Sequence, residues 1–367
     1  MYIPSAKSKI SLILLLLIGL ILFLWTENSK IMRKNDHYEE KLAAANLMQK
    51  AEKAIKEYRE QQGVFIDEVN DPNRTGLIGD RITPITTQNG SLPSKLTTLN
   101  PNFAAVFVEM FKKAGLELGD KIAVSYTGSF PALNLAVLAA TKVMKLKPVI
   151  ISSVGASMFG ATDPDFTVLD IESLLKEKNI FNYKSRAASI GGGEDLGRGL
   201  SKSGRDEILK SIKRNEVKLI KTNDLKGNVD EKWKLYEKTY PSQKTQLFIN
   251  IGGGLTSLGY VEDRQSIEPG LHLFMDERTL SEVGIMYRFA AENVPIIHIE
   301  DVLTLADKYH LPTAPTPLPE SGSGRVFREK SYNLTVAAIS LLIMIILITI
   351  VIIFDHKKQE FSTKELG

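Results

Sequence analysis

Two runs of three glycines stand out as residues that could do chemistry. Gly191, Gly192 and Gly193 lie in SIGGGEDLGRGLSKSG (residues 189–204), and Gly252, Gly253 and Gly254 lie in NIGGGLTSLG (residues 250–259). Each follows a short apolar run. Consecutive glycines reach left-handed backbone angles, so successive N–H groups can point at one spot and hold a carboxylate or phosphate oxygen. Arg198 and Arg205 beside the first triplet could add two-pronged contacts to such an anion. The same bareness also lets a helix pack closely on a strand with no ligand involved. Nucleotide motifs fail in detail. A dinucleotide fingerprint counted from Gly191 meets Leu196 where its last glycine belongs, and counted from Gly252 it meets Ser257. The stretch GLSKSGRD (residues 199–206) has Walker spacing, but Arg205 and Asp206 replace the lysine and hydroxyl that meet phosphate and magnesium. No cofactor is expected.

Hydroxyl nucleophiles are the second chemistry. Thr127, Gly128 and Ser129 open TGSFP between an apolar run and a helical pattern, where a hydroxyl would sit near partially positive amides. Gly155 and Ser157 belong to GASMFG, which misses the G-x-S-x-G elbow because Phe159 takes the last position. Ser129 and Ser157 are therefore the candidate nucleophiles, but no base is evident. His298 in PIIHIE and His272 in GLHLFM read as satisfied strand residues. No metal site is expected either: H-E-x-x-H is absent, DPD at residues 163–165 reads as a turn and helix cap, and the chain has no cysteine.

The elements that must position these loops alternate. KIAVSY, PVIISS, RAASI, VKLI, QLFINI and PIIHIE are short apolar strand patterns. Helical patterns separate them at residues 132–146, 168–178, 205–215, around Trp233, and at 280–291, and one more runs to Tyr309. This rhythm predicts an α/β domain over residues 63–312, a mostly parallel doubly wound (Rossmann-like) sheet covered on both faces. All the Gly/Ser-rich loops leave carboxyl ends of strands, so they are expected to converge on the crevice where strand order reverses. Before the sheet, Gly63 opens a loop-rich stretch to Leu99, and Asn100 with Pro101 starts a helix that buries Phe103, Val106, Phe107, Met110 and Phe111 and stops at Gly115.

The chain's ends point to a membrane. Of 367 residues 43% are apolar, ample for a packed core, and the net charge of +3 gives no footprint for nucleic acid. Residues 10–26 carry no charge and reach ~25 Å as a helix, enough to span a slightly thin bilayer. A cleaved signal peptide is the rival, but no small-x-small site follows directly. Residues 331–354 are a second uncharged span, closed by DHKK. Residues 1–9 form a basic tail, 27–62 a juxtamembrane amphipathic helix, 313–330 a Pro/Gly/Ser-rich linker and 355–367 a C-terminal tail. Basic residues flank both spans on both sides. Long domains translocate largely regardless of charge, so we expect cytoplasmic termini and an extracytoplasmic domain.

Four motifs in order, SYTGSFPALN (residues 125–134), GASMFGATDPDFT (155–167), SIGGGEDLGRGL (189–200) and NIGGG (250–254), together with the flanking spans, resemble the poly-gamma-glutamate system protein family. These are bacterial membrane proteins encoded with the machinery that makes poly-γ-glutamate. The resemblance implies a process and assigns no catalytic residue. It implies an accessory subunit that binds or guides the polycarboxylate, or organises the synthase, with other membrane subunits of that machinery as partners. A serine-dependent hydrolase or transferase acting on polymer ends, and a pure scaffold, are the alternatives.

Overall fold

The computed structural model describes residues 8–259 and 267–364, with side chains to residue 356. It divides into two units, Met1–Asn35 with Arg328–Gly367, and Asp36–Phe327.

In the first unit, helices α1 (Lys9–Asn28) and α12 (Leu334–Lys364) pack together. Strands β1 (Ile31–Lys34) and β11 (Arg328–Ser331) pair antiparallel at their ends. Thr26 Oγ1 lies 3.2 Å from Ser340 Oγ between the helices. Leucine and isoleucine cover the outer faces of both, for example Leu16 at 72% and Leu341 at 62% exposure, surface that a lipid bilayer covers at low cost. The chain is a two-pass membrane protein, with its large domain between the spans and outside the cytoplasm.

The second unit is a mostly parallel α/β domain. Its central sheet runs through β3 (Lys121–Thr127), β4 (Lys147–Ser153), β6 (Ala187–Ser189), β7 (Lys218–Leu219), β8 (Thr245–Ile251), β9 (Gly270–His272) and β10 (Ile296–Ile299). Their spatial order is β7-β6-β4-β3-β8-β10-β9, and every neighbour pair is parallel except β10 with β9. Strands β3, β4 and β8 are buried nearly end to end, as strands covered on both faces must be. Their side chains alternate between two cores. Ile122, Val124 and Tyr126 face a larger cluster, while Ala123, Val149 and Phe248 face a smaller one.

Helices α5 (Pro131–Val143), α6 (Val168–Glu177), α7 (Lys202–Arg214) and α11 (Val302–Lys308) contribute to the larger core; α8 (Leu225–Lys238), α9 (Leu255–Leu258) and α10 (Ile285–Ala291) contribute to the smaller. The chain steps outward from β3 through β4, β6 and β7. It then returns by α8 to place β8 on the other side of β3, so strand order reverses between β3 and β8.

The larger core is deepened by α2 (Tyr38–Gln61) and α4 (Phe103–Lys113). Met48, Ala51 and Ile55 of α2 are buried, and α4 is buried over most of its surface because it packs on both α2 and α5, which also pack on each other. The juxtamembrane helix expected over residues 27–62 is thus α2, packed on its own domain and separated from α1 by β1. The segment expected as a linker behaves differently. Asn102 Nδ2 donates to Glu320 O at 3.1 Å, Asn73 Nδ2 donates to Pro315 O at 2.9 Å, and Phe327 is buried edge-on against Tyr38. Proline removes donors and stiffens the chain but leaves carbonyls free to accept, so a Pro-rich segment can dock as well as space.

Candidate functional site

At the carboxyl ends of β3, β4, β6 and β8 lies an open cavity of about 290 Å³. It is lined by Thr127, the last residue of β3, with Ser129 beyond it, by Ser153, the last residue of β4, with Gly155 beyond it, and by all three glycines of the first triplet with Asp195 after β6. Gly253, Gly254 and Leu255 follow β8. Both triglycine segments thus reach one cavity, at the reversal of strand order. Thr87 and Gln88 close it from outside the sheet. They belong to β2 (Thr86–Gln88), which pairs with β5 (Ala156–Ser157).

The loops are locally determined. Gly128 approaches so closely that a Cβ there would meet Val154 O at 2.6 Å. Gly192 has φ +72°, a left-handed angle open to glycine at no steric cost. Several amides that could have faced a ligand are already used. Gly128 N–H donates to Ser153 O, Gly155 N–H to Ile190 O, Gly193 N–H to Arg198 O and Gly252 N–H to Ile299 O, at 2.8–3.0 Å. The loops hold their shape through these bonds.

Beneath the first triplet sits a buried polar cluster. Lys232 Nζ donates to Asp195 Oδ2 at 2.5 Å and to Thr256 Oγ1 at 2.9 Å. Ser153 Oγ donates to Asp195 Oδ1 at 2.8 Å, and Ser189 Oγ donates to Asp195 Oδ2. Among the described lining residues only Asp195 carries a charge, and Lys232 balances it, so the cavity offers hydroxyls, one side-chain amide and backbone rather than net charge.

Two of the residues singled out from sequence stand apart. Arg198 is 59% exposed and pairs with Glu194; the Arg205 guanidinium donates to Leu200 O at 2.6 Å. Neither lines the cavity, and neither do Gly128, Ser157 or Gly252. His298 is buried and shares a 3.1 Å hydrogen bond with Asn250; burial, with His272 adding to it, brings its pKa down to about 4. Asp163 accepts from Asp165 N–H at 2.9 Å and pairs with Arg59 at 2.6 Å, while the cap of α6 is Thr167 with Asp170.

Ser129 and Ser157 do meet. Ser157 N–H donates to Ser129 Oγ at 3.0 Å, and Ser129 N–H donates to Thr127 Oγ1 at 3.1 Å. Sequence reasoning missed the residue beside them. Lys95 of α3 (Leu92–Thr98) is 2% exposed; its Nζ lies 2.8 Å from Ser157 Oγ, bonds Ser129 O, and sits 3.6 Å from the Phe130 ring centroid. Burial brings its pKa down to about 7. A lysine on a short helix in a loop-rich stretch carries no motif, so no sequence signal marks it. Asp195 was legible inside SIGGGEDLGRGL, where an acid next to a glycine run could have been weighed alongside the arginines.

Comparison with known proteins gives no match: no family model, no curated protein and no solved structure is similar to the chain.

Proposed function

We propose that this protein is an accessory membrane subunit of a poly-γ-glutamate synthesis and export system, and that its rim cavity receives a carboxylate-bearing end of the polymer. The observation that supports this most is the meeting of both triglycine segments with the Thr127–Ser129 and Ser153–Gly155 loops around one open space. At about 290 Å³ the space is at the small end of the ~300–1,000 Å³ typical of ligand pockets, which favours a chain end over a tract of polymer. Hydroxyls and a side-chain amide around a charge-balanced wall suit a group recognised by hydrogen bonds, as one carboxylate and its neighbouring amide would be. The resemblance of the four sequence motifs to the poly-gamma-glutamate system family suggests the process, and two membrane spans suit a subunit that works at a membrane.

Gly254→Val tests this in cells. A Cβ at Gly254 meets only Thr127 Cγ2, at 3.9 Å, and the backbone there is ordinary (φ −65°), so the valine should fold and project into the cavity. The variant is expected to reach the membrane at normal abundance while polymer yield or chain length changes. Unchanged polymer with normal abundance would leave the scaffold reading in its place.

A further inference from the structure

We propose that Ser129, Ser157 and Lys95 form a serine–lysine acyl-transfer centre that cleaves an amide bond presented in the rim cavity. This rests on the cavity receiving a chain end and adds a reaction to it. Ser129 lines the cavity; behind it, the Ser157 main-chain N–H meets Ser129 Oγ and the Ser157 hydroxyl meets Lys95 Nζ. Among the described residues Lys95 has no carboxylate against it: its contacts there are the Ser157 hydroxyl, the Ser129 carbonyl and the Phe130 ring. Burial lowers its pKa, and Asp195, the one charged lining residue described, is paired with Lys232.

A neutral amine fits these contacts. One N–H donates to the Ser129 carbonyl, and the lone pair accepts the Ser157 hydroxyl proton. Ser129 is held from the other side by the Ser157 main-chain N–H, two residues before the first residue of α5, whose N-terminal end favours developing negative charge.

The steps balance. Ser129 Oγ attacks the amide carbonyl carbon and forms a C–O bond, while its proton passes to Lys95 Nζ through the Ser157 hydroxyl, which the step requires to turn within hydrogen-bond reach of Ser129 Oγ when substrate binds. The C–N bond then breaks, and Lys95 returns the proton to the departing amine. Water attacks the Ser129 ester, its proton follows the same relay, and the ester C–O bond breaks to restore Ser129. The net change is amide plus water to carboxylic acid plus amine. The substrate class is an amide at the end of a small carboxylate-bearing chain, and the base role accounts for a buried lysine with no acid partner among the described residues.

The test is labelling of the purified full chain in detergent with a fluorophosphonate, read by peptide mass spectrometry. We expect one adduct, on Ser129, with a rate that rises with pH through about 7 as Lys95 loses its proton. Ser157→Ala and Lys95→Arg should each slow it ~100-fold or more, the usual worth of a general base. Arginine stays protonated and cannot act as the base but still offers donors to the Ser129 carbonyl and the Ser157 hydroxyl, so a lysine that only ties the loop to β5 would tolerate it once a thermal melt confirms that each variant folds. Absence of an adduct on the wild-type chain, a rate flat across pH, or wild-type labelling in folded Ser157→Ala would overturn the proposal. Titration with a short γ-glutamyl oligomer separates the two readings. Binding without labelling removes the reaction and leaves the receptor, while labelling without binding leaves a serine centre whose substrate is not the polymer end.

Discussion

Asp195 and Lys232 form a buried ion pair at 2.5 Å beneath the first triglycine loop, with Lys232 0% and Asp195 5% exposed. Asn228 Nδ2 adds a hydrogen bond to Asp195 O at 3.4 Å, and Thr256 Oγ1 accepts a second hydrogen bond from Lys232, so one cluster ties the segments after β6 and β8 to α8. Removing one partner strands the other charge away from water. Lys232→Met should therefore destabilise the domain by about 3–5 kcal/mol, whereas Lys232→Met with Asp195→Leu should cost much less. Urea unfolding of both variants checks this; equal losses would mean that the pair is not what holds the loops.

His298 predicts an acid-side loss of stability. Its folded pKa of about 4 lies below the ordinary value of about 6.5, so the unfolded chain takes up a proton first as pH falls. The contribution is fully present above about 6.5 and is lost as pH drops through about 4, amounting to about 3 kcal/mol over that window. His298→Gln should show a shallower fall in urea midpoint between about pH 6.5 and 4 than the wild type. An unchanged slope would place the acid sensitivity elsewhere.

The sheet was legible in sequence because β3, β4 and β8 are long enough for a continuous apolar run bounded by glycine turns to show. The convergence of their loops then followed from topology, since parallel strands present all their carboxyl ends on one rim. What stayed hidden was short or non-local. β2 spans three residues, too few for alternation to show, so the Thr87–Gln88 wall was read as loop, and β9, equally short, gave no sign in GLHLFM that it pairs antiparallel at the sheet edge. Lys95 joins Ser157 across 62 positions of chain, and only the fold reveals that pairing. Arg198 and Arg205 were adjacent in sequence to the right loop, but the turn directs them to Glu194 and to Leu200 O.

The charge balance of the cavity makes salt a diagnostic. Arg198→Ala and Arg205→Ala should leave chain-end binding within about twofold of wild type. Raising salt from about 0.05 to 0.5 M should weaken it only slightly, because screening acts mainly on exposed charges. A steep salt dependence abolished by Arg198→Ala would move recognition to the outer face of the first loop.

Topology is checked by protease access. Trypsin added to cells with an opened envelope but an intact inner membrane should cut within Asp36–Phe327, and a reporter fused at the C-terminus should be active only in the cytoplasmic sense. Complete protection of the domain would invert the arrangement.

The central claim, that the glycine loops build a receptor for a polymer end, is met most directly by calorimetric titration of the purified full chain with short γ-linked glutamate oligomers. The account predicts saturable one-to-one binding to the wild type and at least ~10-fold weaker binding to folded Gly254→Val, whose side chain fills the space. Absence of saturable binding, or equal affinity in the two proteins, would contradict it.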